Sequence, residues 1–313
     1  MPQAAYKTQT EQVSAQFINS NFVRKLEDGR TKDAEAEGTA FIRQKLRQES
    51  FARELIEPVM LADDEIDRDE NTDQPKKIVE KEPDSVATFV PFSGTGPRTW
   101  FKGPRFAVYF GKTESQRFTK SKFELMTYQN DIRKILSDNS VKDMADQEDQ
   151  KYLDTVNVIL ALNPTQVLSP GVFSSTAFKQ GFQGLVNRKQ PIGKMLMSKG
   201  MYYEALDLPA TSVGNDVASR HYDMGIEAEE KLWGIPVVST IKQDIVDGAA
   251  IPANVRRSVY IFAPQNYLGV FFLLQDATLY IKQEADIIEF WSYAAPGIGL
   301  GNNKAMERLD FLP

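Results

Sequence analysis

Residues 61–85, LADDEIDRDENTDQPKKIVEKEPDS, are strongly acidic and almost free of large apolar side chains. They lead directly into residues 86–123, VATFVPFSGTGPRTWFKGPRFAVYFGKTESQRFTKSKF, which are aromatic, β-prone and punctuated by turn signals at GTGP and KGP. The acidic part alone predicts a solvated extended loop. The two parts together predict a long two-stranded excursion, with FAVYF as one of its strands. A two-stranded hairpin is marginal in water by itself. Any fold open to this chain must therefore supply another surface for the hairpin to lie on.

The N-terminal residues raise the same demand. Residues 1–57 are polar and helix-prone, with Val13, Phe17, Phe22 and Leu26 on one loose stripe and Ile42, Leu46 and Ile56 on a second. Helices with stripes this thin gain little by folding alone. The rest of the chain is ordinary globular material. Of the 313 residues 42% are hydrophobic and 26% charged, enough to build a sizeable core. The formal net charge is -6, so nucleic acid would be repelled except at a local basic patch. There are no cysteines, which excludes disulfides, thiolate metal sites and cysteine nucleophiles. The N-terminus has no basic-then-apolar signal pattern. Apolar runs such as YLGVFFLL (267–274) fall short of the ~20 residues a membrane helix needs, so no membrane association is expected.

Downstream of the hairpin, FELMTYQNDIRKIL (123–136) predicts a helix. A second, longer helix is predicted over 141–162, stopped by Asn163 and Pro164. Its apolar positions Val141, Met144, Ala145, Tyr152, Leu153, Val156 and Ile159 recur at three and four, and Ser140 with Asp143 offers a capping pair. At 1.5 Å per residue this helix would span ~33 Å, which suits a backbone rod. From 165 onward the pattern is mixed. SSTAFKQGFQGLV reads as a short helix, MLMSKGMYYEAL as strand-like, and ASRHYDMGIEAEEKLWG as a helix ended by Gly234. IPVVSTI, SVYIFAP, YLGVFFLLQ and ATLYIKQEADIIEFWSYAA read as strands.

The chemical motifs fail one by one. KGPRFAVYFGK (102–112) comes nearest to an RNA-recognition strand: Lys102, Gly103, Phe106 and Tyr109 fit, but Pro104 and Arg105 do not. Pro104 cannot donate to a central ladder. A nucleic-acid-binding module using the basic-aromatic stretch 98–123 is the alternative function from this side. Gly297, Gly299 and Gly301 alternate as at a dinucleotide-binding turn, yet too little chain follows for the helix, strand and acidic residue such a site requires. From Asp63 or Asp67 the calcium-loop spacing fails, with no glycine at the sixth position and no glutamate at the twelfth. There is no G-x-S-x-G and no Walker loop, and the single histidine, His221, reads as a surface or packing residue. No catalytic, cofactor-binding or metal-binding residue is assigned, no cofactor is expected, and nothing makes a case for an enzyme.

Taken in order, a polar helical arm, a long extended loop, an acidic rod helix, a mixed α/β region and late strands resemble the major capsid protein of tailed bacteriophages, the Hong Kong 97-type fold shared with encapsulins. The segments that carry the likeness are MADQEDQKYLDTVN (144–157), LWGIPVVSTI (232–241), VYIFAPQNYLGVFF (259–272) and EFWSYAAPGIGLGNN (289–303). The resemblance spans roughly residues 10 to 310 and implies an α+β fold in five parts. These are an N-terminal arm (1–60), an extended loop (61–120), the spine-helix region of a peripheral domain (121–164), an apical domain (165–277), and a C-terminal peripheral-domain strand and tail (278–313).

As function it implies a structural protein that self-assembles into hexamers and pentamers of an icosahedral shell around phage DNA. The shell would be a virion capsid assembled in the host cytoplasm, holding DNA without sequence-specific binding. Scaffolding, portal and possibly decoration proteins are the further partners implied. An encapsulin-like protein compartment is the nearest alternative. Some relatives cross-link lysine to asparagine, but no motif aligns Lys102, Lys112, Asn302 or Asn303, and cross-linking is not predicted. About 60 residues of arm with no long coiled coil predict no large cleaved pro-segment, and hence a separate scaffolding protein. On this reading the rings of KGPRFAVYFGK pack on a neighbouring subunit and on the start of the spine helix, and its charges meet carboxylates across that interface.

Overall fold

The computed structural model of the chain describes residues 9–81, 87–98, 100, 103–128, 132–206, 231–247 and 257–311. The chain begins with three helices, α1 (Gln9–Glu27), α2 (Thr31–Glu49) and α3 (Phe51–Leu55). Ser50 caps α3 by accepting from the Arg53 N–H. Strand β1 (Pro58–Met60) then leads to the hairpin region: β2 (Asp67–Arg68), β3 (Pro75–Glu80) and β4 (Arg105–Tyr109) form a three-stranded antiparallel sheet. The acidic stretch is thus not wholly loop, since its KKIV segment pairs with FAVY. Short strands β5 (Thr113–Glu114) and β6 (Phe118–Ser121) follow, then α4 (Lys122–Thr127), opened by a capping box between Ser121 and Glu124.

The rod helix α6 (Lys142–Leu162) is reached through α5 (Ile132–Ile135) and a π-helical turn over Leu136–Val141. This corrects the expected start. Helical backbone already runs into Lys142, so Ser140 does not cap it; its hydroxyl is buried without a hydrogen-bond partner. Asn163 ends the helix as expected, its backbone N–H bonding the Leu160 carbonyl.

The remaining elements are β7 (Val167–Gly171), α7 (Ser175–Asn187), β8 (Lys194–Ser198), α8 (Lys199–Leu206), β9 (Lys231–Leu232), β10 (Ile235–Thr240), α9 (Gln243–Asp247), β11 (Arg257–Phe262), α10 (Gln265–Leu268), β12 (Val270–Glu284), β13 (Ile287–Gly299) and β14 (Met306–Phe311), with short 3-10 turns at Asp63–Glu65 and Pro164–Gln166. Several expectations are corrected here. MLMSKGMYYEAL is half strand and half helix. Gly234 ends no helix: with Trp233 it forms the two-residue turn of the β9–β10 hairpin, both residues having positive φ (52° and 80°), the geometry of a type I′ turn. The segment ATLYIKQEADIIEFWSYAA is not one strand but the closed end of a long hairpin that reverses at Ala285, φ 53°. The boundary expected between 277 and 278 falls inside continuous strand β12. His221 lies outside the described residues.

Two larger sheets organise the molecule. One is ordered β1-β12-β13-β5, with β6 also on β13; the other runs β7-β14-β11-β8-β10-β9. The final strand β14 therefore joins the second sheet, so the expected unit 278–313 divides between the two. Each sheet has its own core. Met144 and Ala145, on the first turns of α6, belong to the core between the arm and the β12–β13 hairpin. Tyr152, Leu153, Val156 and Leu160, further along, belong to the core of the six-stranded sheet. One helix thus enters both cores, which its length allows.

The arm is anchored through its polar side as well as its apolar stripe. Beyond β1 the outer edge of β12 has no strand partner among the described residues. Three residues of α2 at i, i+4 and i+8 cover it: Glu35 accepts from the Ile281 N–H (2.9 Å), Thr39 accepts from the Leu279 N–H (3.0 Å), and Arg43 donates to the Ala277 carbonyl (2.8 Å). The helical repeat along α2 matches the two-residue repeat of the strand, and an edge that would otherwise be open to pairing is closed.

Candidate assembly surfaces

The two glycine- and aromatic-rich stretches that resembled binding motifs are the two halves of one internal contact. Strand β4 lies across the end of β13, with Phe106, Val108 and Phe110 on the glycine side. A Cβ at Gly297 would stand 2.6 Å from Phe110 Cδ1, one at Gly299 would run into Val108 and stand 3.0 Å from Phe106 Cε2, and one at Gly301 would stand 2.5 Å from a Phe106 ring carbon. The glycines alternate because successive strand residues point to opposite faces, so every second position must be bare to let the hairpin down. A backbone bond from the Gly111 N–H to the Pro296 carbonyl (3.1 Å) completes the seat.

The charges of this region are also paired within the chain. Arg105 pairs with Glu80 across the hairpin (2.6 Å), and Lys112 with Glu114 (2.7 Å). Lys112 sits over the Tyr293 ring and Arg117 over the Trp291 ring, at 4.5 and 4.8 Å from the centroids. Between them Tyr280 stacks on both rings, 4.9 Å from Tyr293 and 5.9 Å from Trp291. The column is closed at each end by a cation, so these three rings offer no free face on which a base could stack.

A buried ionic cluster holds the arm to the rest. Arg53 forms a two-pronged pair with Glu148 on α6 (2.8 and 2.8 Å) and reaches Asp276 on β12 (3.0 Å). Burial opposes the Arg53 charge, yet Glu148 and Asp276 hold its pKa above the ordinary arginine value. Next along the helix, Asp149 accepts from the Ser50 hydroxyl and the Ala52 N–H (2.9 Å each), and Lys242 donates to it (2.6 Å) and to Asp146 (2.9 Å). Burial pushes the Asp149 carboxyl up to about 6, against the pull of Lys242. The acidic texture of MADQEDQ is therefore partly interior: Glu148 and Asp149 face inward while Asp143 and Gln147 face solvent. Sequence reasoning saw the acids but not the arm arginine they hold.

The clearest unsatisfied surface is the connection between β3 and β4. Phe89, Phe92 and Trp100 are 100%, 114% and 94% exposed, so they touch almost nothing in their own chain. On α6, Val158 and Leu162 are also exposed, one turn apart. Of the residues considered for cross-linking, Lys112 is engaged with Glu114 as above, and Asn302 donates to Gln190 (3.0 Å) and to the Tyr267 carbonyl (2.8 Å). Lys102 lies outside the described residues. Among the described residues no group of three or more acidic or histidine side chains is placed to hold a metal ion, and no helix is long and apolar enough to cross a membrane.

No family model and no curated protein sequence matches the chain. Solved structures do. A virus-like particle from Pyrococcus furiosus superposes with a TM-score of 0.54 at 13% identity, over 88% of this chain and 98% of its own. The mature capsid of bacteriophage PhiM1 gives 0.56 at 12% identity, over 84% and 87%. The capsid of cyanophage P-SCSP1u gives 0.52 at 12% identity, over 75% and 83%. The chain has the Hong Kong 97-type capsid fold. Identities this low establish the architecture and leave the function to be argued from the surfaces.

Proposed function

We propose that this protein is the major subunit of a phage capsid, assembling as hexamers and pentamers into an icosahedral shell. The observation that carries the proposal is the extended loop: a long connection presenting three fully exposed aromatic rings, on a fold that recurs in assembled shells. Rings left in water are costly unless another surface covers them, and exposed apolar groups on this scale mark interaction sites. The partner supplied in greatest number during shell assembly is another copy of the chain.

The other parts of the proposal follow from the same surfaces. A net charge of -6, with the basic residues of 105–117 paired internally, suits a wall that encloses DNA without gripping its sequence. The arm (1–60), extended loop (61–120) and spine region (121–164) are proposed as the units that bind neighbours. The six-stranded sheet, including β14, is the proposed apical unit. Scaffolding, portal and decoration proteins are the proposed further partners, and the virion is the proposed location, reached by assembly in the host cytoplasm.

Co-expression with the scaffolding protein, followed by light scattering and negative-stain imaging, tests the reading. Hollow particles of megadalton mass are expected, and packaged DNA rather than a protein cargo would distinguish a genome shell from a protein-filled compartment. A chain that stays monomeric or dimeric under those conditions would overturn the proposal.

A further inference from the structure

Strand β12 runs for 15 residues, Val270–Glu284, where strands of globular proteins usually have ~5–6. On its outer side β1 pairs only with Phe271, Phe272 and Leu273. Further along that edge the stretch ATLYI (277–281) has no charge, no glycine and no proline, and Thr278, Tyr280 and Ile281 are strong strand formers. A long uncharged edge of this composition is a template for another strand.

What lies on it is α2, and the fit is that of a substitute strand. Running antiparallel to β12, α2 engages the backbone of every second residue, Ile281, Leu279 and Ala277, through every fourth residue of its own, Glu35, Thr39 and Arg43. Four helical residues rise ~6.0 Å and two strand residues ~6.8 Å, so the mismatch grows slowly enough for three contacts. Close approach is allowed by Gly38, where a Cβ would run into the Leu279 side chain. The backbone groups that α2 occupies are those an incoming strand would need, so helix and strand exclude one another here. The cover is also lightly built. Helix α2 buries only Ala34, Thr39, Ile42 and Leu46, carries Gly38 in its interior, and begins at Arg30 without a side-chain cap.

We propose that α2 is a releasable strap, whose docking keeps the β12 edge of one copy from pairing with the same edge of a second copy. The inference concerns the unassembled chain and does not depend on the shell reading. A second copy is the occupant that the edge itself fits. Two identical edges related by a two-fold axis pair antiparallel, and each supplies the donors and acceptors the other lacks. Pairing centred on Leu279 lays Ala277, Leu279 and Ile281 of both copies on one continuous apolar face. It also sets Asp276 of each copy opposite Lys282 of the other, so unlike rather than like charges flank the contact, while each keeps its own-chain partner, Arg53 and Glu284 respectively.

The test uses the full chain, unassembled, with Glu35→Ala, Thr39→Val and Arg43→Met combined. These changes remove the three edge contacts and leave the apolar stripe of Ala34, Ile42 and Leu46 in place. Hydrogen exchange at the Leu279 and Ile281 amides is followed from dilute to concentrated solution, alongside sedimentation velocity. In the dilute variant both amides are expected to exchange about tenfold faster than in the unaltered chain. On concentration their protection should return together with a dimer that the unaltered chain does not form. Adding Thr278→Lys, which sets like charges near the two-fold axis, should abolish the dimer and leave exchange fast. Amides that stay slow in the dilute variant would overturn the strap. Amides that stay fast at every concentration with no dimer would overturn the pairing, as would a dimer that survives Thr278→Lys. If the triple variant does not fold, Thr39→Val alone is read in the same way at the Leu279 amide.

Discussion

The glycine seat of the hairpin permits a graded prediction. Phe106, Val108 and Phe110 rest on Gly297, Gly299 and Gly301, and burying three such side chains is worth roughly 1.5–3 kcal/mol each, or ~5–9 kcal/mol for the seat. A methyl group at Gly299 would overlap Val108 and crowd Phe106, and overpacking of this kind costs ~1–3 kcal/mol. One substitution, Gly299→Ala, should therefore loosen the hairpin without releasing it. Alanine at all three glycines sums to ~3–9 kcal/mol, comparable with the whole seat, and should release it. The amide of Gly111 reports directly, because its bond to the Pro296 carbonyl links hairpin to sheet, whereas the amides of β4 bonded to β3 belong to the hairpin itself. Hydrogen exchange at Gly111 should accelerate modestly in Gly299→Ala and approach the unprotected rate in the triple variant, with the β3–β4 ladder less affected. Full protection of Gly111 in the triple variant would refute the claim that bare positions on β13 are what seat the loop.

Three more outcomes follow from the arm and its anchor. Arg53→Met should cost ~3–5 kcal/mol in thermal or denaturant unfolding, because Glu148 would be left buried without its cation and Asp276 with only Arg43 at 3.6 Å; a loss under ~1 kcal/mol would mean that solvent reaches Glu148. Thr39→Val should destabilise by ~1–3 kcal/mol, since the Leu279 N–H loses its acceptor on an otherwise open strand edge, and exchange at Leu279 should rise. The Asp149 carboxyl titrates near 6 in the folded chain against an ordinary value of 3.8. A raised carboxyl means that the folded state holds the extra proton. The contribution is present in full below about 4 and is lost as pH rises through about 6, a span of about two units or ~3 kcal/mol. Asp149→Asn should flatten the pH dependence of unfolding over that window; an unchanged profile would assign the proton elsewhere.

The sequence by itself determined many of the elements and the order in which they come, although MYYEAL reads as strand and KKIV as loop. The three-and-four spacing of Val141, Met144 and Ala145 and of Tyr152, Leu153, Val156 and Ile159 specified the rod helix, and Asn163 with Pro164 stopped it. The absence of cysteine and of every nucleophile, phosphate or calcium motif turned attention from chemistry to surfaces. The thin stripes of the arm and the unsupported hairpin said that something else must cover them. These are local properties, written in residues a few positions apart.

What covers each surface was decided by the tertiary structure, because the partners lie far apart in the chain. Gly297, Gly299 and Gly301 read as a failed dinucleotide turn until Phe106, Val108 and Phe110, nearly 200 positions earlier, are laid against them. Glu35, Thr39 and Arg43 look like an ordinary solvated helix face until they meet the bare edge of β12. Ser140 offered a plausible cap, but the π-helical turn carries the backbone through it and leaves the hydroxyl unused. Gly234 suits a helix end or a tight turn equally, since both need positive φ, and only the pairing of Leu232 with Ile235 distinguishes them. Periodicity reports which side of an element wants a partner; the identity of that partner is a property of the folded chain.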